Sequence, residues 1–297
     1  MSTNVVDNNT QSQTPMDKIN LDLTELDAHE LALLQSQTGI QDIDELKRHV
    51  EDVAERAFKA RSKFVYQPIY KHVLELGKTR KDAIFLDIGC ALGHDTRKVV
   101  ADGYPVQNVV ASDLQPEFWT LGHELFKSTP ETFPVPFIPG NALDEAFIPD
   151  CSPFDNASHP PSTEKPTQSI LTSSKSLAPL QGHVSAIHVS ALFHLFGESQ
   201  QRVLARKIGS LLSPEPGSVI FGIQRGFATP GEHENPRGEM VFWHSVESWK
   251  KLWVGGEGEE GVYPKGMVEV DATLWDHKLG SQEPNRCFLV WSVKRVE

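Results

Sequence analysis

Ile84-Phe85-Leu86-Asp87-Ile88-Gly89-Cys90-Ala91-Leu92-Gly93-His94-Asp95 is the stretch that decides the fold of this chain. Four apolar residues around a single acid run straight into a turn that carries two glycines. Beyond the turn, Asp95-Thr96-Arg97-Lys98-Val99-Val100-Ala101 reads as a helix. The order is strand, tight turn, helix. The strand does not alternate apolar with polar residues, which is the pattern of a strand covered on both faces in a parallel α/β sheet. Glycine suits such a turn because a ligand can then approach the backbone where a Cβ would block it. Asp87, at the end of the strand, is expected to accept hydrogen bonds from a cationic or hydroxylated ligand above the sheet.

Working outward, the next strand is Asn108-Val109-Val110-Ala111-Ser112-Asp113, and its terminal acid follows Gly93 by twenty residues. An acid at that place can take both hydroxyls of a ribose. Pro116 to about Ser128 forms a helix, and a strand is expected around Val135 to Ile138, ahead of Gly140-Asn141-Ala142-Leu143-Asp144. Upstream, Asp27 to Gln37 and Gln41 to about Lys63 are helical, with Gly39 ending the first. Ile69 to Leu76 resumes the pattern. These helices precede the sheet, so they form a cap (residues 19–80). The cap covers a sheet face, acts as a lid with Arg61, Tyr66 or both reaching inward, or does both. Residues 1–18, rich in Asn, Gln, Ser and Thr, read as a disordered tail ahead of it.

Residues 149–182 carry six prolines and no periodicity, so an irregular insertion is expected there. Val184 to Ser190 is a further strand, followed by Ala191-Leu192-Phe193-His194-Leu195-Phe196. Glu198 to Leu212 is a helix, Ser218 to Ile223 a strand, and Val246 to Trp253 a helix. Two closing strands, about Met267–Trp275 and Arg286–Val293, pair antiparallel. Residues 81–297 thus read as one sheet-based domain.

Composition narrows the function. Twenty-eight basic against forty acidic residues leave a net charge of −12, and no Lys/Arg block could track a phosphate backbone, so no nucleic-acid partner is expected. Cys90, Cys151 and Cys287 are widely spaced and suggest neither a disulfide framework nor a metal site. No apolar run is long enough to span a bilayer, so a soluble cytoplasmic protein without a membrane partner is expected. Nothing fixes the oligomeric state.

Asp87-x-Gly89-x-x-x-Gly93 resembles motif I of the class I S-adenosylmethionine (SAM) methyltransferases, with Ala91 in place of their middle glycine. It matches the dinucleotide fingerprint G-x-G-x-x-G less well, because Ala91 and His94 would occupy its second and third glycine positions. Gly140-Asn141-Ala142 resembles the methyltransferase Gly-Asp-Ala segment that contacts adenine. Asn141 departs from that pattern, and Asp144 is the other candidate acceptor. Thr38-Gly39-Ile40, Phe193-His194-Leu195-Phe196, Ser213-Pro214-Glu215-Pro216-Gly217-Ser218 and Trp243-His244-Ser245-Val246-Glu247-Ser248-Trp249 look like one fungal group. Its members are small-molecule methyltransferases associated with meroterpenoid and other secondary-metabolite pathways.

The resemblance implies an α/β, Rossmann-like class I methyltransferase fold. Its sheet would have seven mostly parallel strands, the seventh antiparallel, with a helical N-terminal cap. It implies SAM as cofactor and S-adenosylhomocysteine (SAH) as product, held by Asp87, Gly89, Cys90, Gly93, Asp113, Leu114, Asn141, Ala142, Tyr66 and Arg61. The acceptor would be a small phenol or carboxylic acid. His194, just past a strand's carboxyl end, and His244 are the candidate catalytic residues, since histidine titrates near neutrality. His188, inside its strand, reads as structural. Trp119, Phe193, Phe196 and Trp243 are candidate pocket walls, though such residues more often belong to the core. A nicotinamide oxidoreductase and a non-catalytic methyltransferase-like module remain as other readings.

Overall fold

A computed structural model describes residues 28–56, 67–155, 164–235, 238–276 and 287–296. The expected tail, Arg61 and Tyr66 lie outside the described residues. The chain order is α1 (Ala28–Thr38), α2 (Ile43–Arg56), α3 (Tyr70–Thr79), β1 (Ile84–Ile88), α4 (His94–Ala101), β2 (Val109–Ser112) and α5 (Pro116–Leu125). It continues with α6 (Gln168–Ser173), β3 (Val184–His188), α7 (Glu198–Leu211), β4 (Val219–Gly226), β5 (Gly231–Glu234), β6 (Met240–Trp243), α8 (Val246–Val254), β7 (Val268–Asp276) and β8 (Cys287–Arg295).

The main sheet has the order β2-β1-β3-β4-β8-β7. β1 to β4 pair parallel, and β8 runs antiparallel to both β4 and β7. Every residue of β1 is buried. Ile84, Leu86 and Ile88 point into a core with α7, α8 and the 147–180 segment. Phe85 points the other way, into a core with α3, α4 and α5. This two-sided burial is why the strand shows no alternation.

Seven strands were expected in this sheet, and the described residues form six. At the β2 edge, the expected strand around Val135 is reduced to a single parallel bridge between Ala111 and Phe137. Ala111 N–H donates to the Pro136 carbonyl, and Ile138 N–H donates back to Ala111, each at 2.9 Å. Pro134, Pro136 and Pro139 have no N–H to give, so no longer ladder can form. The segment still lies along the edge of β2.

The insertion 149–182 is more ordered than its composition suggested. It contains α6, and Phe154, Leu171, Leu177 and Leu180 are buried. The β5–β6 hairpin, antiparallel with Gly231 opposite Trp243, was not anticipated at all. Of the cap, α1 and α2 pack Leu34, Ile40, Leu46, Val50 and Val53 against Leu92, Leu125 and Phe126. The cap therefore rests directly on the glycine turn's Leu92.

Candidate functional site

Ligands of open α/β sheets sit outside the carboxyl ends of the strands, where chain order reverses. Here that crevice lies above β1, between β2 and β3. The turn leaving β1 curls onto the end of β2: the N–H groups of Gly89 and Cys90 donate to the Ser112 carbonyl at 2.8 and 3.1 Å. Gly89, Ala91 and Gly93 adopt φ of +75°, +48° and +73°. Ala91 thus takes, at a steric cost, the left-handed backbone that a middle glycine would take freely. A Cβ on Gly89 would have Leu192 as its nearest neighbour at 3.8 Å, an ordinary contact, so the turn itself tolerates the added atom. At Gly93 a Cβ would lie 2.6 Å from the Trp119 ring. Cys90 is buried, which pushes its thiol well above the usual pKa.

Asp113 faces the same turn. One carboxylate oxygen accepts from Ala91 N–H at 2.8 Å and the other from Gln115 N–H at 2.9 Å. Burial raises its pKa, and these backbone donors oppose the shift. Each oxygen keeps a second lone pair for a ligand hydroxyl. The neighbouring Leu114 leaves 57% of its surface exposed, an apolar side chain at the mouth of the crevice. Gly140 N–H donates to the Asp113 carbonyl at 2.9 Å, which brings the Asn141–Ala142 segment alongside. The Asn141 side-chain oxygen accepts from Leu143 N–H at 3.0 Å, so it also folds its own turn. Asp144 is likewise engaged, accepting from Ala146 N–H at 3.0 Å.

Asp87 requires a correction. Its side chain is 1% exposed. One oxygen accepts from the Thr96 hydroxyl at 2.6 Å, and the other pairs with His188 Nδ1 at 2.8 Å. The carboxylate points into the protein rather than up to a ligand, because a buried charge must find partners. Asp87 therefore ties β1 to α4 and β3 beneath the turn. His188 Nε2 continues the chain to Ser190 Oγ at 2.6 Å. This Asp–His–Ser array was missed in the sequence. Its signal was there: Asp87 and His188 each interrupt a fully buried strand, and the β1–β3 register sets them side by side. Lone polar residues in such strands need each other.

His194 lies half-buried in a 3-10 turn, Phe193–Leu195, directly after β3. Leu192 of the same loop overhangs Gly89, so the His194 loop borders the crevice. His244 is different. It is 2% exposed, with Nδ1 bonded to Ser248 Oγ at 2.9 Å and its ring edge-on to Phe242 and Trp249. Burial, with Arg202 nearby, lowers its pKa to about 4. Through that bond to Ser248 it holds the entry to α8. Of the aromatic candidates, Phe193 and Trp119 are core. Trp243 and Phe196 are half-buried beside the β5–β6 hairpin. Phe242 N–H donates to the Phe196 carbonyl at 3.0 Å, which fastens the hairpin to the His194 loop. Trp243 stacks on His233 with 4.0 Å between centroids, and Arg225 lies 5.4 Å over the indole.

The chemistry of these residues suits an adenosyl ligand: a left-handed turn, an acid with spare lone pairs, and an exposed leucine beside it. Among the described residues no cluster of His, Cys, Asp or Glu could hold a metal ion.

Residues 19–63 match the model of the meroterpenoid methyltransferase N-terminal domain. The O-methyltransferase phiE of Fungal sp. (strain ATCC 74256) is 30% identical over 66% of this chain, a match that spans only 56% of phiE. The methyltransferase adrK of Penicillium rubens is 27% identical over 91% of this chain and 89% of its own length. The asnovolin E/chermesin D methyltransferase nvfJ of Aspergillus novofumigatus is 29% identical over 66% of this chain and 62% of its own. The chain thus has an α/β, Rossmann-like sheet and is similar over much of its length to fungal methyltransferases, meroterpenoid enzymes among them.

Proposed function

We propose that this protein transfers the methyl group of SAM to an oxygen of a small organic acceptor, a phenol or a carboxylic acid. The observation that carries this reading is the left-handed glycine turn held against Asp113, in a chain whose relatives bear methyltransferase names. SAM supplies an already activated methyl. What is left to the protein is to bind, orient and keep out water. Asp113 would hold the ribose, Gly89 and Cys90 the methionine part, and Leu114, Asn141 and Ala142 the adenine. The loop with His194 and the β5–β6 hairpin would form the acceptor side. No described helix is long and apolar enough to cross a membrane, and the acceptor is taken to arrive from solution.

The test is direct. The full chain is titrated with SAM and SAH by calorimetry, then incubated with labelled SAM and paired panels of phenols and carboxylic acids. SAM binding with a single methyl gained by one panel is the expected result. Absence of SAM binding would refute the reading. If His194 is the base for a phenol, His194→Ala lowers turnover ~10²–10⁴-fold at unchanged SAM affinity. With a carboxylic acid, already ionised at neutral pH, the same change costs little.

A further inference from the structure

The turn that carries His194 and the β5–β6 hairpin come from distant parts of the chain, and one buried side chain of α7 holds both. Gln201 is 0% exposed, on the face of α7 that also buries Leu204, Ala205 and Ile208. A polar side chain on such a face needs partners. Its amide nitrogen has two hydrogens. One goes to the Phe196 carbonyl at 2.9 Å and the other to the Phe242 carbonyl at 2.7 Å.

Phe196 directly follows the His194 turn, Phe193–Leu195, and Phe242 is the third residue of β6. The two are themselves joined, since Phe242 N–H donates to the Phe196 carbonyl at 3.0 Å. Three residues thus close a triangle of three hydrogen bonds. The Phe196 carbonyl uses both lone pairs in it, and Gln201 Nε2 uses both hydrogens. Both joined segments reach the carboxyl-end side of the sheet. Leu192, at the head of the His194 turn, overhangs Gly89. β6 ends beside the end of β4, where His244 bridges Gly226.

We propose that Gln201 is a positioning residue for the methyl acceptor: it clips the His194 turn to the β5–β6 hairpin and so sets the shape of the acceptor side of the crevice. This rests on the methyl-transfer reading above and adds to it the residue that fixes the acceptor side. The bonds of Gln201 go to backbone carbonyls, so it acts through the two segments it joins. SAH, held by the glycine turn and Asp113, should be indifferent to the clip. Gln201→Leu removes both donors. Gln201→Glu keeps the shape: ionised, its carboxylate donates nothing and meets two carbonyl oxygens, whereas protonated it donates once. Burial raises the pKa of such a carboxyl, so acid favours the donating form.

In the full chain carrying Gln201→Leu, calorimetry should give SAH its wild-type affinity. KM for an acceptor found in the labelled-SAM panels should rise ~10- to 100-fold. An unchanged KM overturns the proposal. A matching loss of SAH affinity does so too, because Gln201 would then support the whole fold. If the leucine variant does not fold, Gln201→Glu carries the test. Its kcat/KM, divided by that of wild type at the same pH, should lie below one and fall further between about pH 6 and about pH 8. A ratio that stays at one overturns the clip. Amide hydrogen exchange needs no acceptor. At the upper pH the Phe242 N–H of Gln201→Glu should exchange at least ~10-fold faster than in wild type, with the amides of β1 unchanged. Equal protection of Phe242 overturns the proposal. A wild type that binds no SAH refutes the parent reading instead, and the exchange result then still judges the clip.

Discussion

Gly89 and Gly93 share a left-handed backbone for different physical reasons, and substitution separates them. Either glycine replaced by alanine carries ~1–2 kcal/mol of backbone strain. At Gly89 the added methyl meets nothing closer than 3.8 Å. Gly89→Ala should therefore stay folded and lose mainly SAH affinity. At Gly93 the methyl would be driven into the Trp119 ring, so Gly93→Ala should also melt several degrees lower in a thermal scan. Equal melting temperatures would sink the packing account. Asp113→Ala removes a charge-assisted acceptor worth ~1.5–3 kcal/mol, and calorimetry should show about ten- to hundredfold weaker SAH binding with the fold intact. His244 gives a stability prediction with a definite sign. Its folded pKa is about 4, against an ordinary 6.5. Between those values the unfolded chain binds a proton that the folded one refuses, so stability falls as pH drops from 6.5 towards 4. The loss is on the order of 3 kcal/mol at most. In denaturant titrations across that window, His244→Gln should flatten the slope. A slope unchanged by the mutation would remove His244 as its source.

At the scale of elements, the 149–182 insertion shows how a loop of polar composition can be fastened by a few side chains. Leu171, Leu177 and Leu180 enter the same core as β1 and β3. The Phe154 carbonyl accepts from the buried Arg295 at 2.8 Å. Lys207, itself buried, donates to the Ile148 carbonyl and pairs with Glu145. Shortening from Ser152 to Ser169 would therefore remove the buried Phe154 and the start of α6. Leu177→Ala should cost ~2–5 kcal/mol, as for other fully buried leucines, readable as a lower urea midpoint. A change below ~0.5 kcal/mol would show that the segment is not part of the core. A second fastening joins α4 to α5 and the loop after it. Arg97, 1% exposed, lies between the rings of Trp119, Phe126 and Phe133, at 5.5, 4.7 and 4.1 Å. It donates to Ser128 Oγ at 2.8 Å, and burial lowers its pKa to about 9. Cation–π contact stands in for the carboxylate it lacks there. Because Trp119 also abuts Gly93, this cluster stiffens the turn from behind.

Across the whole molecule, the sequence was most readable where one local rule governed. Short, mainly apolar runs gave β1, β2, β3 and β4, and their motif spacing placed Asp113 against the turn. It was least readable where partners are distant in the chain. The Asp87–His188 pair spans 101 positions, and only the strand register brings it together. The prolines around Val135 cut a strand to one bridge, and β5, Gly-Glu-His-Glu, carries no apolar residue to announce its half of the hairpin. What is rigid scaffold and what is ligand site can then be separated by one linked measurement. A ligand that binds only the folded state stabilises it by RT ln(1 + [L]/Kd), about 2.7 kcal/mol at a hundredfold excess over Kd. For a chain of this size each kcal/mol moves Tm by roughly 2–4 °C or less, so SAH should raise the wild-type Tm by several degrees. Leu177→Ala should start lower and keep the whole shift, because it loosens the core on which the site stands without touching the crevice. Asp113→Ala should start near wild type and lose most of the shift at the same SAH concentration. The crossed outcome, a full shift in Asp113→Ala and none in Leu177→Ala, would put the SAH site outside the glycine-turn crevice and against the 147–180 segment.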